Sequence, residues 1–316
     1  MATSKSLHSV SIVGSGPAGL TAAIHAAFEG LHVTLYERGK MGGQAATTSL
    51  IQNYPGFEHG VDGHGLIARM HTQASDLGVQ VVQQEIVSCA DLPSDQPIIL
   101  ATGLHFRSLG LPGEAEYAGR GLWYGPHIHH PLRVIGKQIA IIGAANAAGQ
   151  AALYYARYAR RVTIISRHET VAETMSERLR TEIAHHQHVG FLCGVSPQEV
   201  VGDDQEVQGL WVAGAHNERL FVPASTVLVC AGQQPASGFA DLLHDGRGYM
   251  VCGGASRMET SRAGVYAIGD CRSGNMAHRV AAAVGEGARL IAYLLHQEEA
   301  TSEQALLLAR TAVPMA

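Results

Sequence analysis

Cysteine is scarce in this sequence, and long apolar runs are absent. Cysteine occurs five times, at Cys89, Cys193, Cys230, Cys252 and Cys271, and no two are close enough in sequence to suggest a zinc-ligand pair or a disulfide ladder. No apolar run approaches the roughly 18 residues that a membrane-spanning helix needs. The N-terminal residues lead directly into a strand pattern, without a separate apolar segment or cleavage site. We therefore expect a cytoplasmic protein that binds no metal and no membrane.

Charged side chains are also few. Asp, Glu, Lys and Arg make up 16% of the 316 residues, against about 25% in an average soluble chain. The 22 Lys and Arg and the 27 Asp and Glu give a formal net charge of −5, which excludes the basic surface of a general nucleic-acid binder. Apolar residues reach 46% and supply an ample core. A surface with so little charge favours coverage by a second copy, so we expect a homodimer.

Two segments have the pattern strand, glycine-containing turn, helix, strand. In the first, a β-rich run at Val10–Val13 precedes GSGPAG, a helical pattern and the strand HVTLYE. In the second, IAIIG at 139–143 precedes AANAAGQAALYYARYA and the strand RVTIIS. A βαβ unit of this kind is typical of nucleotide-binding domains, and the chain contains two of them.

The first turn has the spacing of a dinucleotide-binding motif. Gly14 permits the tight turn, Gly16 lets the backbone approach a pyrophosphate, and Gly19 allows the helix to pack on the strand. The N-terminus of the helix faces the anion with the positive end of its dipole. Glu37 ends the second strand at the distance expected for holding a ribose 2′-hydroxyl. This combination predicts an adenosine diphosphate site.

Four segments resemble thioredoxin reductases and their low-molecular-weight flavoprotein relatives. They are GSGPAG with Glu37, GGQAATTSLIQNYPGF at 42–57, Ala101-Thr102-Gly103, and GVYAIGD at 264–270. The resemblance covers nearly the whole chain in order. It implies FAD as cofactor and an α/β fold with two Rossmann-like, three-layer ββα domains, the second inserted in the first. The implied FAD-binding domain comprises residues 1–114 and 245–316, and residues 115–244 form an NAD(P)-binding-like domain with a degenerate motif.

The same resemblance implies which residues contact FAD. Those implied at the adenosine diphosphate portion are Gly14, Gly16, Gly19 and Glu37. Those implied near the flavin are Gly43, Gln44 and Asn53, and Asp270 is implied at the ribityl–pyrophosphate region. The segment Arg279-Val280-Ala281 would place the N-terminus of a helix near the flavin, where its positive end favours negative charge. Residues of the same motifs that are also implied to bind FAD are Pro17, Ala18, Ala101, Gly103 and Gly269.

The sequence departs from this family at the redox-active dithiol. Thioredoxin reductases carry Cys-x-x-Cys just after a segment like the one at 119–124, whereas here Gly125-Pro126-His127-Ile128 follow. Disulfide reduction by the family's mechanism requires that dithiol. We therefore expect no such activity unless distant cysteines pair in three dimensions. Cys271, next to Asp270, is predicted to be a small buried core residue.

The second glycine turn also departs from its expected pattern. It reads Gly143-Ala144-Ala145-Asn146-Ala147-Ala148, and the methyl group of Ala145 stands where a glycine would allow close approach of a pyrophosphate. Gly143, Asn146, Ala147 and Arg167 are the candidates for binding NAD(P)H. Arg167 could pair with a 2′-phosphate, or it could be an ordinary exposed arginine at the end of a strand. NAD(P)H as electron donor, another donor, or a domain kept only for packing are the open alternatives.

A histidine-rich segment takes the place of the dithiol. His127 and His129 are candidates for proton transfer beside the flavin or a substrate. The alternatives are a metal site, for which the spacing is weak, and a solvated loop in a chain that contains 18 histidines. His185, His186 and His188 lie near a predicted helix end, where cationic side chains are favourable, and are predicted to be structural.

These observations favour an FAD-dependent oxidoreductase that transfers two electrons to or from a partner other than a disulfide. A small molecule, a quinone, dioxygen or an electron-transfer protein could be that partner. The first alternative is a substrate dehydrogenase or oxidase that uses the His127 region as a base. The second is a non-enzymatic flavin-bound sensor or partner-binding protein, and the third is a disulfide reductase with unconventional cysteines.

Overall fold

A computed structural model describes residues 7–48, 50–126, 131–236, 238–275 and 278–311, with the backbone alone at 131 and 301–311. The chain divides into two compact units: Met1–His105 with Gln234–Ala316 form unit 1, and Phe106–Gln233 form unit 2. Both crossings come earlier than the predicted boundaries at 114/115 and 244/245. The connecting segments Leu104–Phe106 and Gln233–Pro235 pair with each other in a two-stranded sheet. The predicted boundaries instead followed the glycines and prolines that come later in the sequence.

The secondary structure alternates strands and helices in each unit. The strands are β1 Ser9–Val13, β2 His32–Glu37, β3 Gln80–Gln83, β4 Ile98–Leu100, β5 Leu104–Phe106, β6 Leu122–Tyr124, β7 Gln138–Ile142, β8 Arg161–Ile165, β9 Val189–Leu192, β10 Ser196–Gly202, β11 Val207–Ala213, β12 Arg219–Pro223, β13 Thr226–Val229, β14 Gln233–Pro235 and β15 Val265–Ala267. The helices are α1 Pro17–Phe28, α2 Gly43–Ala46, α3 Gly63–Asp76, α4 Glu114–Tyr117, α5 Asn146–Tyr155, α6 Glu177–Ala184 and α7 Val280–Thr311.

Unit 1 contains a five-stranded parallel sheet in the order β15-β4-β1-β2-β3. Its central strands are apolar on both faces because the sheet is covered on both sides. Val10 and Ile12 pack with residues of α1, α3 and α7. On the opposite face, Val13 joins a cluster that includes Phe239 and Met250. The sheet therefore holds β1, and the turn that follows it, rigidly at its centre.

The helix α1 lies close to its neighbours because it consists largely of small residues. Ala18, Gly19, Ala22 and Ala23 are all buried. Helix α7 also uses a glycine at the contact, since a Cβ added to Gly287 would lie 2.5 Å from the carbonyl oxygen of Ala18. The two helix backbones therefore approach each other at the first turn of α1.

Unit 2 contains a second parallel sheet, in the order β6-β13-β7-β8-β9. Ile139 and Ile141 pack against α5 and α6 on one face. On the other face, Ala140 and Ile142 pack against the antiparallel sheet β10-β11-β12 through residues such as Leu210. This arrangement has the three layers that were predicted, a helical layer and two sheets.

The structure contains both predicted βαβ units, β1-α1-β2 and β7-α5-β8. The antiparallel sheet and α3 were not predicted as elements. The helix predicted to begin at Arg279-Val280-Ala281 continues to Thr311, because residues 288–311 contain no glycine or proline that would end it. None of the helices within the described ranges combines the length and apolar character that a membrane crossing requires.

Candidate functional site

The turn after β1 can be formed only by glycine at two of its positions. Gly14 has φ +104°, its N–H donates to the carbonyl of Tyr36 at 2.8 Å, and an added Cβ would lie 2.3 Å from the carbonyl oxygen of Ala101. A Cβ on Gly19 would lie 1.8 Å from the carbonyl oxygen of Gly14. The first and third motif glycines therefore serve close packing of turn, strand and helix, as predicted from their spacing.

The second motif glycine faces open space. Gly16 is the N-cap of α1, it makes no side-chain capping hydrogen bond, and Pro17 follows as the first helical residue. A Cβ on Gly16 would meet no atom within 4 Å. The N–H groups of the first helical turn therefore have no side-chain cap, and the space beside Gly16 is open, as an anion site at a helix N-terminus requires.

Glu37 lies directly beside this turn. Its Oε2 accepts hydrogen bonds from the backbone N–H of Ser15 at 2.9 Å and from the Ser15 hydroxyl at 2.6 Å, and Oε1 accepts one from Gly39 at 3.0 Å. The N–H of Gly42 donates to the Ser15 oxygen at 3.1 Å. Ser15 was not predicted as a site residue. It is fully buried, and its only sequence signal is its place between the first two motif glycines. A carboxylate has about four acceptor sites, so Glu37 can still accept from a ribose hydroxyl.

The helix α2 begins beside the same turn. A Cβ on Gly43 would lie 3.7 Å from the Cα of Gly16, and the side chain of Gln44 donates to the carbonyl of Leu104 at 2.8 Å. Both residues were predicted to approach the flavin, and the structure places them near the predicted phosphate turn. Asn53, predicted for the same role, is exposed on a bend of the chain.

The end of β4 supplies the third side of the candidate site. Ala101 contacts Gly14 as described, and Gly103 has φ +65° with open space where its Cβ would be. Between them, the Thr102 hydroxyl is buried without a hydrogen-bond partner in the described part of the chain. An unsatisfied buried hydroxyl is unfavourable in an apolar setting, and a bound ligand can satisfy it.

The loop at Gly269 supplies the fourth side. Gly269 has φ +73°, and an added Cβ would lie 3.0 Å from the Cβ of Ala18. Asp270 follows, with Oδ1 accepting from the Asn275 amide at 3.3 Å and Oδ2 lying 3.6 Å from His278 Nδ1. Burial raises the pKa of the Asp270 carboxyl above its usual value, although His278 acts in the opposite direction.

The first residues of α7 follow this loop. Arg279 is exposed immediately before the helix, and Val280 packs against the core of unit 1. The carbonyl of Arg279 accepts from the N–H of Ala283 at 3.0 Å, so the first helical turn, which contains Ala281, is regular.

The features of unit 1 together fit a dinucleotide such as FAD. They are the uncapped N-terminus of α1, the open space at Gly16, the Glu37 carboxylate and the Thr102 hydroxyl.

Unit 2 repeats the geometry of the first turn. Gly143 has φ +116°, its N–H donates to the carbonyl of Ile165 at 2.9 Å, and an added Cβ would lie 2.3 Å from the carbonyl oxygen of Cys230. Ala145 is the N-cap of α5, exposed and in extended conformation with φ −86°. This conformation is accessible to alanine, so the substitution leaves the turn intact. Its methyl group occupies the position that Gly16 leaves open in unit 1.

The loop after β8 is tied to the start of α5. The Oδ1 atom of Asn146 accepts from the N–H of Ser176 at 2.8 Å, and the Thr174 hydroxyl donates to the carbonyl of Ala144 at 2.8 Å. Asn146, a candidate NAD(P)H contact, therefore holds its own chain, and Ala147 beside it is exposed.

A serine takes the place of Glu37 in unit 2. Val13 pairs with Tyr36 in the first sheet and Ile142 pairs with Ile165 in the second. The residue after the second partner is Ser166, which is buried and accepts from the N–H of His168 at 3.1 Å. Arg167 is exposed, and no ion pair to it is present within the described part of the chain. Unit 2 thus has a serine at the position of Glu37, and a cation, Arg167, one residue further on.

The histidines predicted for proton transfer, His127 and His129, lie outside the described residues. The structure shows a different imidazole, that of His105 in β5, whose Nε2 lies 2.7 Å from the Gln234 amide nitrogen. Burial and the charge of Arg38 lower the pKa of His105 below its usual value. His185 caps α6 with its Nδ1 2.7 Å from the carbonyl of Thr181, in agreement with a structural role.

All five thiols are free, and burial raises the pKa of each one. The pKa rises to about 12 at Cys230 and to about 11 at Cys252. Cys271 is fully buried, and its Sγ lies 3.2 Å from the carbonyl oxygen of Ile268. It is a core residue, as predicted.

Comparison with known proteins gives one consistent result. Residues 8–287 match the family described as pyridine nucleotide-disulphide oxidoreductase. The thioredoxin reductase of Listeria monocytogenes is 29% identical over 91% of this chain and 92% of its own length, and that of Mycolicibacterium smegmatis is 32% identical over 85% and 90%. The crystal structure of Lactococcus lactis thioredoxin reductase superposes with a TM-score of 0.79 at 29% identity, covering 92% of this chain and 99% of that one. The predicted fold, with two Rossmann-like domains, is confirmed.

Proposed function

Because the chain belongs to the pyridine nucleotide-disulphide oxidoreductase family, we propose that it is an FAD-dependent oxidoreductase whose electron-transfer partner is not a disulfide. Thioredoxin reductases, the relatives that it resembles over nearly its full length, use FAD and NADPH. The predicted cofactor FAD, and NAD(P)H as one of the predicted alternatives for the electron donor, agree with this.

The state of the thiols carries the proposal. Thiol–disulfide exchange starts with a thiolate attacking a disulfide sulfur, and a second nearby thiol then completes the exchange. The sequence contains no Cys-x-x-Cys. Burial raises the pKa of every cysteine, so little thiolate forms at neutral pH. This supports an electron partner such as a small molecule, a quinone, dioxygen or an electron-transfer protein.

The residues of unit 1 have distinct tasks in this proposal. The backbone of Gly16 and the N-terminus of α1 hold the pyrophosphate, and Glu37 accepts from the ribose. Asp270 would bind the ribityl–pyrophosphate region, and the positive end of the α7 dipole would favour negative charge on a flavin held near Arg279, Val280 and Ala281. FAD, when bound, supplies two-electron chemistry by accepting and releasing a hydride equivalent.

Unit 2 favours NADPH over NADH if it binds a nicotinamide nucleotide. An acid after the second strand would accept from a free 2′-hydroxyl, and Ser166 stands there instead. Arg167 follows it and suits a 2′-phosphate. The methyl group of Ala145 opposes pyrophosphate approach, so we propose weak binding of NADPH.

The oligomeric state and the cellular compartment are also proposed. We propose that the protein is a cytoplasmic homodimer, in keeping with the low fraction of charged residues, 16%. Light scattering on the purified full chain tests the dimer directly.

The test is anaerobic reduction followed by turnover with two classes of acceptor. The purified protein should be yellow with FAD, and excess NADPH should bleach the flavin band faster than NADH. The reduced protein should then reduce ferricyanide or a quinone and leave oxidised thioredoxin and a small aromatic disulfide unreduced. Rapid turnover on either disulfide would overturn the proposed partner, and a colourless protein that takes up no FAD would overturn the whole proposal.

A non-enzymatic flavin-bound sensor or partner-binding protein is the second candidate. The methyl group of Ala145 and the lack of neighbouring thiols favour it, because both remove steps of the family's electron transfer. In that case neither nicotinamide nucleotide would bleach the flavin, and titration calorimetry would show no heat of binding for either one. Steady turnover with NADPH and ferricyanide would exclude it.

A further inference from the structure

An ion pair in unit 1 joins Arg272, two residues after Asp270, to Glu286 in the second turn of α7. Arg272 and Glu286 form a bidentate pair: Arg272 Nε donates to Glu286 Oε2 at 2.9 Å and Nη2 donates to Oε1. The two side chains are only 12% and 14% exposed. Every other ion pair between described residues has at least one partner with 35% exposure or more. This pair is therefore the most shielded one within the described ranges.

Glu286 also holds the backbone of the loop. Its Oε2 accepts from the N–H of Gly269 at 2.7 Å, and the Asn275 amide donates to the carbonyl of the same residue at 2.9 Å. The peptide groups on both sides of Gly269 are therefore bonded, one to α7 and one to the loop. Asp270, whose side chain was predicted to contact FAD, is the next residue.

The same part of α7 packs on the first turn of α1. Gly287, adjacent to Glu286, lies against the carbonyl of Ala18, and Gly269 lies against the Ala18 side chain. The ion pair thus connects three elements of the candidate FAD site: the loop of Asp270, the helix α7 and the N-terminal turn of α1.

We propose that Arg272 and Glu286 are positioning residues for FAD, which fix the Asp270 loop and the start of α7 as one rigid surface. The inference rests on the proposed binding of FAD to unit 1. A shielded charged pair is weak evidence for a role in stability, because replacing a buried ion pair by apolar side chains is often neutral. Its directional hydrogen bonds instead hold the short 3-10 helix Gly269–Cys271, which contains Asp270, against α7.

The test separates positioning from simple stabilisation with a pair of single variants and their combination. Arg272→Met leaves Glu286 bonded to Gly269, Glu286→Leu removes both connections, and the double variant leaves no unpaired charge. The full chain is stripped of flavin, and the dissociation constant for FAD and the urea unfolding midpoint are measured for each protein. The reduction potential of the bound flavin is measured in the refilled proteins.

We expect the double variant to unfold near the wild-type urea concentration but to bind FAD at least about tenfold more weakly, with a shifted flavin potential, because charge-assisted hydrogen bonds to the loop are lost. The matched control is the pair Arg262→Met and Asp241→Asn, an exposed ion pair of the same unit, which should leave both the affinity and the potential unchanged. An unchanged affinity and potential in the double variant would overturn the inference, whatever the unfolding midpoint. Failure of the wild-type protein to bind FAD would instead overturn the proposed function.

Discussion

At the residue scale, Glu114 shows how a buried acid can be stabilising. It is 2% exposed, and its carboxylate accepts from the N–H groups of Leu109 and Leu111 and from the Tyr124 hydroxyl. Burial alone would raise the pKa of this carboxyl, but the hydrogen bonds outweigh burial and lower it below its usual value of 4.5. The negatively charged Glu114 carboxylate therefore holds the backbone of residues 109–111, near the start of unit 2, through hydrogen bonds.

Glu114→Gln should lower the free energy of unfolding at pH 7 by about 1 to 3 kcal/mol, because an amide replaces a charged acceptor of several hydrogen bonds. A depressed pKa in the folded state contributes stability above the unfolded pKa and loses it as the pH falls through the folded pKa. The difference between variant and wild type should therefore shrink between pH 7 and pH 3. Urea titrations at several pH values measure it.

The control for this variant is Glu116→Gln on the same helix, where the side chain is 60% exposed. It should change the stability little at any pH. If the unfolding free energies of Glu114→Gln and wild type differ by the same amount from pH 7 to pH 3, the assigned role of the charge is contradicted.

At the scale of elements, the two βαβ turns have the same first glycine and differ by one methyl group at the N-cap of the helix that follows. Gly14 and Gly143 each donate an N–H to a carbonyl of the neighbouring strand, and each lies close to one other backbone carbonyl. The two turns therefore have the same backbone geometry at this glycine. Gly16 leaves open the space that the Ala145 methyl group takes up in unit 2. Exchange of the two side chains should therefore move nucleotide affinity between the units in opposite directions.

Gly16→Ala should weaken FAD binding by about tenfold or more, and Ala145→Gly should strengthen NADPH binding by a similar factor, since an intruding methyl costs about 1 to 3 kcal/mol. Neither change should alter the circular dichroism of the apoprotein, because both positions have ordinary dihedral angles and open surroundings. Fluorescence titration of flavin-free protein measures the first, and calorimetry with NADPH measures the second.

Matched controls are Gly246→Ala in unit 1, where an added Cβ also meets nothing within 4 Å, and Ala215→Gly on an exposed turn of unit 2. Both should leave nucleotide affinity unchanged. Equal FAD affinity for Gly16→Ala and wild type would remove Gly16 from the phosphate site.

Elements with local signals could be predicted from the sequence, and those formed by distant contacts could not. The β1-α1-β2 and β7-α5-β8 units follow from glycine spacing and apolar strands, which act within about 30 residues. The antiparallel sheet was missed because strands such as β12 expose most residues on both faces. Ser15 and Glu286 were missed because their roles depend on partners more than ten residues away.

At the scale of the whole molecule, two half-buried thiols and a buried phenol make the folded state sensitive to alkali. Burial raises the pKa of Cys230 to about 12, of Cys252 to about 11 and of Tyr266 to about 12. These groups ionise more readily in the unfolded chain. A raised pKa in the folded state contributes stability below the unfolded pKa and loses it as the pH rises toward the folded value.

The free energy of unfolding should therefore fall between pH 9 and pH 11, by up to about 1.4 kcal/mol per pH unit for each such group. Urea titrations at closely spaced pH values measure the slope. Cys230→Ala should remove the contribution of one ionising group from the slope of the unfolding free energy against pH. This holds even if the variant is less stable than wild type at pH 7. A flat profile up to pH 11 would contradict the assigned burial of these groups.

The paired connecting strands β5 and β14 have a consequence for modular engineering. Because unit 2 leaves and rejoins the chain through two adjacent strands, its 106–233 segment begins and ends at neighbouring points. A short turn joining His105 to Gln234 would bridge that gap, and a foreign domain with adjacent termini could be grafted in its place. The insertion therefore makes unit 1 a recipient scaffold, in which the inserted domain can be exchanged without altering the sheet that contains β1 and precedes Gly14.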